Sequence, residues 1–154
     1  MTSLQRLLSD EGAFVTPEGV LEDLKAEDAR RRPCDAPHSL YEELWHVDFW
    51  QHWTLAVVKG NEVTPPLRSS DGWPKDNETF TAEAWVDLNK HFLRELGEVT
   101  ALAGSRKLDK RVGGETVREH IETIAGHNAY HFGRMVLLRQ LLHLWPPPSG
   151  GDTW

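Results

Sequence analysis

Two histidines one helical turn apart are the residues of this sequence best suited to metal chemistry. His127 and His131 stand in the segment IAGHNAYHFGRM. In an α-helix, residues four apart lie nearly one above the other, so both imidazoles project to the same side. This spacing lets two histidines share one divalent ion at about 2.0–2.1 Å each. Ile124 and Leu138 lie on the same stripe, which predicts that the pair faces the core.

A third histidine, His46 in SLYEELWHVDFW, could complete the ligand set from a neighbouring helix. Three protein ligands leave a coordination position for water or substrate, whereas structural zinc sites are closed by four. The alternative is that these histidines are core residues bonded to backbone or carboxylate groups. The sequence predicts a metal site of His46, His127 and His131 and assigns no catalytic residue.

Other residues on the same helices are candidates for the surroundings of the ion. Carboxylates usually orient metal-bound imidazoles, and both Glu43 and Glu122 are available for this role. Asn128 is expected to point away from the histidine stripe. His52 is expected to lie on a different face of its helix from His46, exposed or at an interface, and His91 shows no partner pattern. Four residues one to two helical turns from the candidate ligands are expected to line a pocket, although packing would also explain the tryptophans: Trp50, Trp53, His120 and Ile124.

Composition excludes several other kinds of site. The single cysteine, Cys34, rules out an internal disulfide and a Cys-rich zinc module, and its RRPCDAP setting offers no base for nucleophilic catalysis. A net charge of −7 disfavours binding to nucleic acid. The N-terminus lacks the apolar region of a signal peptide, and the apolar runs are too short to span a membrane. We therefore expect a cytoplasmic protein that acts on a small molecule.

The elements that must position these residues are helices. Apolar spacing and cap residues predict four of them, and no segment shows a strand pattern. Ser39 with Glu42, and Thr116 with Glu119, form capping boxes at the start of two helices. The predicted helices cover Thr16 to about Pro33, Ser39 to about Lys59, Ala82–Ala103 and Thr116 to about Leu144, and a short helix near Ser3–Leu8 precedes them.

The connection from residue 60 to about residue 80 is long and rich in Pro, Ser, Asp and Gly. At up to about 3.3 Å per extended residue, it can travel the length of a bundle. The second and third helices can therefore be parallel, linked by a crossover. The sequence predicts one domain, residues 1–154, built as a four-helix bundle.

Three segments resemble the DinB-like (DinB/YfiT) superfamily of metal-binding helical proteins. PHSLYEELWHVDFW resembles its first-histidine helix, IAGHNAYHFGRMVLLRQ its HxxxH helix, and the ending WPPPSGGDTW that of one branch. The resemblance implies an up–down–down–up bundle and one divalent ion, usually nickel or zinc, held by His46, His127 and His131. It also implies a homodimer.

Function is less determined than fold, because one fold hosts many chemistries. The first hypothesis is a thiol S-transferase, in which a low-molecular-weight thiol bound to the metal attacks an electrophile. The alternatives are a metal-dependent hydrolase and a non-catalytic, stress-associated metal-binding protein. In the last case Trp154 and the acidic surface would serve assembly.

Overall fold

The computed structural model describes residues 1–9, 14–75 and 80–151, and the described chain is mostly helical. The prediction of an all-α protein is confirmed. Trp154 lies outside the described residues. The helices are α1 (Ser3–Ser9), α2 (Pro17–Leu21), α3 (Ala26–Ala29), α4 (Leu40–Lys59), α5 (Ala82–Ala103) and α6 (Val117–Leu141), and short 3-10 turns lie at Pro33–Asp35 and Ser69–Gly72.

The three long helices begin where their cap residues predict. The Ser39 hydroxyl accepts from the Glu42 backbone N–H while the Glu42 carboxylate accepts from the Ser39 N–H, and Thr116 with Glu119 repeats this at α6. These bonds satisfy N–H groups that the first helical turn leaves without partners. Gly60, with φ 85°, ends α4 in a left-handed conformation. The predicted bounds of α4 and α5 are confirmed.

The predicted end of α6 near Leu144 is wrong, since the helix stops at Leu141. His143 adopts a left-handed φ of 59°, which an α-helix cannot continue through. The Leu144 N–H then donates back to the Arg139 carbonyl, and Arg139 Nε donates to the Leu144 carbonyl. The Arg139 carbonyl is therefore not available to the His143 N–H, with which it would pair in a continuing α-helix.

The predicted continuous helix from Thr16 to Pro33 is also wrong, because α2 and α3 divide this segment. Asp23 takes a left-handed φ of 50° between them. The Leu24 carbonyl accepts a 2.8 Å bond from the Trp85 indole N–H of α5. The tertiary contact therefore takes a backbone acceptor that a continuous helix would use internally.

A small ribbon corrects the expectation that the chain has no strands. β1 (Arg111–Val112) pairs antiparallel with β2 (Glu115–Thr116), and the turn between them includes Gly113 with φ 65°. Glycine adopts this left-handed conformation without steric cost, so the two-residue turn can close. The ribbon leads directly into α6.

Helix α4 lies between α5 and α6 and contacts both. Asp48 of α4 contacts His91 of α5, and Lys59 further along α4 contacts Glu98 further along α5. The two helices therefore run in the same direction. The contacts of α4 with α6 run in opposite order, from Glu43–His131 to Gln51–Asn128, so these two helices are antiparallel. The connection from residue 60 to residue 80 therefore returns the chain to the end where α4 began.

The short α1 lies along α5 and α6. Thr2 Oγ1 donates to the Ala103 carbonyl and Gln5 Nε2 to the Thr100 carbonyl, so α1 is antiparallel to α5. None of the described helices combines the length and the apolar character that crossing a membrane requires. The core lies between the helices, and its largest fully buried apolar side chains include Phe92, Leu40, Leu44, Leu55, Ile121 and Met135.

Candidate metal centre

The antiparallel packing of α4 on α6 brings the three predicted ligands together. The Nε2 atoms of His46 and His127 are 3.1 Å apart, and one nitrogen from each of the three imidazoles lies within 4.8 Å of the others. His46 and His131 are buried and His127 is half-buried. Imidazoles this close to one another form a group that could hold a metal ion.

The hydrogen bonds of two imidazoles fix which nitrogen is free. His46 Nδ1 lies 2.6 Å from the Gly72 carbonyl, and His131 Nδ1 lies 2.7 Å from Glu43 Oε2. A carbonyl or carboxylate oxygen only accepts, so each Nδ1 is the donor and carries the proton. In the neutral ring, Nε2 then presents a lone pair, which is the form that binds a metal. The Nε2 atoms of His46 and His131 are therefore the nitrogens available to a metal ion in the three-histidine group.

His127 is held in its neutral form by its surroundings. Its pKa is lowered from 6.5 to about 4, mainly by burial and in smaller part by the neighbouring charges of His131 and His46. Burial likewise lowers the pKa of His46. Among the described residues, the buried Nδ1 of His127 meets no hydrogen-bond partner. Near neutral pH the lowered pKa values keep His127 and His46 uncharged, which is the form in which imidazoles bind a metal.

Glu43, and not Glu122, is the carboxylate that reaches the group. Its side chain is fully buried, and its second oxygen, Oε1, forms a 2.6 Å ion pair with Arg134 Nη2. Glu122 is exposed on α6. A carboxylate in this place fixes the ring of His131 and makes it a better ligand.

Trp73, which the sequence interpretation did not single out, covers the group from the long crossover. Its ring stacks on His46 with centroids 4.0 Å apart and on His38 at 3.7 Å, and it meets His131 at 6.0 Å. The neighbouring Gly72 supplies the carbonyl to His46. An aromatic residue in a turn-rich SDGWP segment was the available signal, but nothing local predicts where the crossover lies.

The four predicted pocket residues lie in different surroundings. Trp50 meets His46 edge-on at 6.4 Å, and Ile124 is buried in the core. Trp53 and His120 line a cleft of about 720 Å³ beside the ribbon, and the three candidate ligands are not part of its lining. His120 Nε2 lies 3.2 Å from the Val112 carbonyl, so this ring contacts the ribbon and not the histidine group.

Asn128 was expected to point away, yet it is buried and contacts α4. Its Nδ2 donates to Gln51 Oε1 at 3.1 Å, and Gln51 Nε2 donates to the Phe92 carbonyl at 3.0 Å. Gln51 is fully buried, so this chain of bonds joins all three long helices close to the histidines. A side chain that points away from the histidine stripe is thus still buried, because α4 also covers the neighbouring side of α6.

A second group of metal-binding residue types lies on the α5 side of α4. His52, His91 and Glu95 also bring one ligand atom each within 4.8 Å of the others. His91 and Glu95 are four residues apart on α5, the same spacing as His127 and His131. That spacing was the available signal, but the partner from α4 depends on how the two helices pack.

Comparison with known proteins gives one match, to a family model. The sequence model described as the DinB superfamily matches residues 17–135, which is most of the chain and includes the three histidines. No curated protein and no solved structure matches the chain.

Proposed function

The chain belongs to the DinB superfamily, and from this premise we propose that it is a metal-dependent enzyme of the thiol S-transferase type. His46, His127 and His131 bind one divalent ion, Ni²⁺ or Zn²⁺, since neutral imidazoles suit both. The observation that carries this proposal is the convergence of the histidine nitrogens, with the Nδ1 atoms of His46 and His131 already committed to acceptors.

Such a site offers a defined chemistry. An ion with three protein ligands keeps a position for a small molecule, and coordination favours the thiolate form of a thiol near neutral pH. The chain's own groups prepare this position. Glu43 holds the ring of His131, the Gly72 carbonyl holds His46, and the ring of Trp73 covers His46 and keeps water from that face.

Transfer is favoured over hydrolysis by the state of the neighbouring carboxylate. A hydrolase would need a base free to take a proton from water. Glu43 accepts from His131 on one oxygen and pairs with Arg134 on the other, so its two oxygens are engaged. Its position supports an orienting role and gives no support to a general base.

The proposal extends to the partners and the bundle. The substrates are small molecules, a low-molecular-weight thiol among them. The protein acts in the cytoplasm, and its secretion into the medium would contradict this location.

The active form is a homodimer, supported by the exposed apolar residues Tyr130, Leu137 and Leu141 on one face of α6. A monomer in analytical ultracentrifugation would contradict that assembly.

The up–down–down–up four-helix bundle is retained with one modification. The short helices α1–α3 together take the place of the first helix. The contact order of α4 with α5 and α6, and of α1 with α5, supports these directions. In this bundle α1 and α6 run parallel, and distances between spin labels on the two helices would test this. If labels near the start of α1 lie closer to the end of α6 than to its start, the parallel arrangement is contradicted.

The test combines metal content with turnover. The purified chain, loaded with Ni²⁺ or Zn²⁺, is incubated with a cysteine-derived thiol and an epoxide or alkyl halide, and thiol loss is measured. We expect turnover with the loaded chain, and we expect His127→Ala to lose turnover together with one bound ion per chain, the ion of the three-histidine site. His143→Ala, which changes an exposed histidine, should retain both.

Two results would contradict the proposal separately. Full metal content in His127→Ala would exclude the three-histidine site. A loaded chain that shows no turnover with any thiol and electrophile of these classes, yet loses thermal stability on chelation, would indicate a non-catalytic metal-binding protein.

A further inference from the structure

We propose that His52, His91 and Glu95 form a second divalent-metal site, separate from the three-histidine group. His52 lies on α4, and His91 and Glu95 lie one turn apart on α5. Helix α4 thus contributes one histidine to a group on α6 and another to a group on α5. Each time, the neighbouring helix supplies two potential ligands with a spacing of four residues.

The distances in the second group are close to those that one ion requires. Glu95 Oε1 lies 2.9 Å from His52 Nδ1 and 3.3 Å from His91 Nε2. Ligands bound tetrahedrally at 2.0–2.2 Å from one ion are separated by about 3.3–3.6 Å. The remaining pair, one nitrogen from each imidazole, lies within 4.8 Å, so the three donor atoms are close enough to converge on one ion.

Asp48 orients one of the ligands in the way that metal sites commonly use. Its Oδ1 accepts from His91 Nδ1 at 2.7 Å, so His91 Nε2 is the nitrogen that faces Glu95. Glu43 has the same relation to His131.

Charge and exposure also favour an ion at this place. The side chain of Glu95 is 7% exposed, and a buried carboxylate requires a compensating charge or full hydrogen bonding. The side chains of His52 and His91 are 61% and 34% exposed, so an ion can enter and water can complete its shell. Arg94, largely exposed, lies 3.7 Å from Glu95 and competes for the same carboxylate.

The donor set indicates which ions the site would take. Two imidazoles and one carboxylate suit Zn²⁺, Co²⁺ or Ni²⁺, whereas Ca²⁺ and Mg²⁺ prefer oxygen ligands throughout. The competing explanation is a set of hydrogen bonds that joins α4 to α5 without any metal. Zinc content distinguishes the two, because hydrogen bonding alone predicts no second ion.

The experiment measures zinc per chain after chelator treatment and equilibrium dialysis against micromolar ZnCl₂. The wild-type chain should bind two ions, and His127→Ala and His52→Ala should each bind one. The double variant should bind none. His52 is exposed and its loss leaves the core intact, and His143→Ala serves as a matched control that should keep both ions.

Two more variants address how the site works. Asp48→Asn should weaken zinc binding at this site about tenfold or more, as expected for a group that orients a ligand. Arg94→Ala should strengthen it, because a competing cation is removed. The proposal is overturned if His52→Ala retains the wild-type zinc content or if His127→Ala binds none. Two ions bound by His127→Ala would instead contradict the three-histidine site.

Discussion

At the scale of single residues, one hydrogen bond determines what His131 can bind. Glu43 accepts the Nδ1 proton, so the lone pair lies on Nε2, beside the other two histidines. His46 is fixed in the same way by a backbone carbonyl, which no side-chain substitution can remove. Glu43 is therefore the point at which mutation can change the orientation of a proposed ligand without deleting it.

We expect Glu43→Gln to lower the affinity for Zn²⁺ by about 10- to 100-fold, because an amide keeps the volume but orients and polarises the imidazole less. Competition with a chromogenic chelator measures this. Glu122→Gln, an exposed change of the same chemistry on α6, should leave the affinity unchanged. Equal affinities of the two variants would contradict the orienting role of Glu43.

At the scale of elements, α4 packs against both of the other long helices, α5 and α6. It meets α6 through His46 and Gln51, and α5 through Asp48 and Gln51. The crossover that makes α4 and α5 parallel also covers the histidine group, because Trp73 inserts between His38 and His46. The long connection is thus part of the site.

Replacing Trp73 with Ala should lower the free energy of unfolding by about 2 kcal/mol, less than for a fully buried tryptophan because Trp73 is half-buried. It should also weaken metal binding, because Gly72 next to it holds His46. Urea unfolding and chelator competition measure the two effects. Leu67→Ala, at a 92% exposed position of the same crossover, should change neither. Wild-type metal affinity in Trp73→Ala would show that the crossover only covers the group.

At the scale of the whole molecule, the buried histidines couple folding to pH. His127 in the folded chain takes up a proton only near pH 4, whereas in the unfolded chain it does so near pH 6.5. Between these values the unfolded state binds more protons, so acid favours unfolding. The lowered pKa of His46 acts in the same direction. Without metal, stability gained from these groups is present above about pH 6.5 and is lost as the pH falls toward 4.

The free energy of unfolding of the metal-free chain should therefore fall between pH 6.5 and pH 4.5, and it should fall less steeply in His127→Gln. Urea unfolding of both proteins at several pH values measures the difference. Parallel pH profiles would show that His127 is not held neutral by burial. Zn²⁺ should be released over the same range, because protons compete for the same nitrogens.

The local sequence was sufficient to predict the bounds of α4 and α5 and the start of α6. Capping boxes, a terminal glycine and apolar spacing act within a few residues, so they can be recognised without a fold. The same locality explains the pair His127 and His131, since helical geometry alone puts them on one side. The place of His46 on its helix and the length of the connection suggested a third ligand and a crossover, and the family resemblance implied both as well.

Only the tertiary structure decided which groups from different elements meet. The break between α2 and α3 depends on the indole of Trp85, and the choice of Glu43 over Glu122 depends on how α4 lies on α6. The position of Trp73, and of His52 beside Glu95, likewise depends on helix packing and on the path of a long connection. Residue spacing determines what one helix presents, whereas burial and packing between helices determine what it contacts, and these involve residues far apart in the sequence.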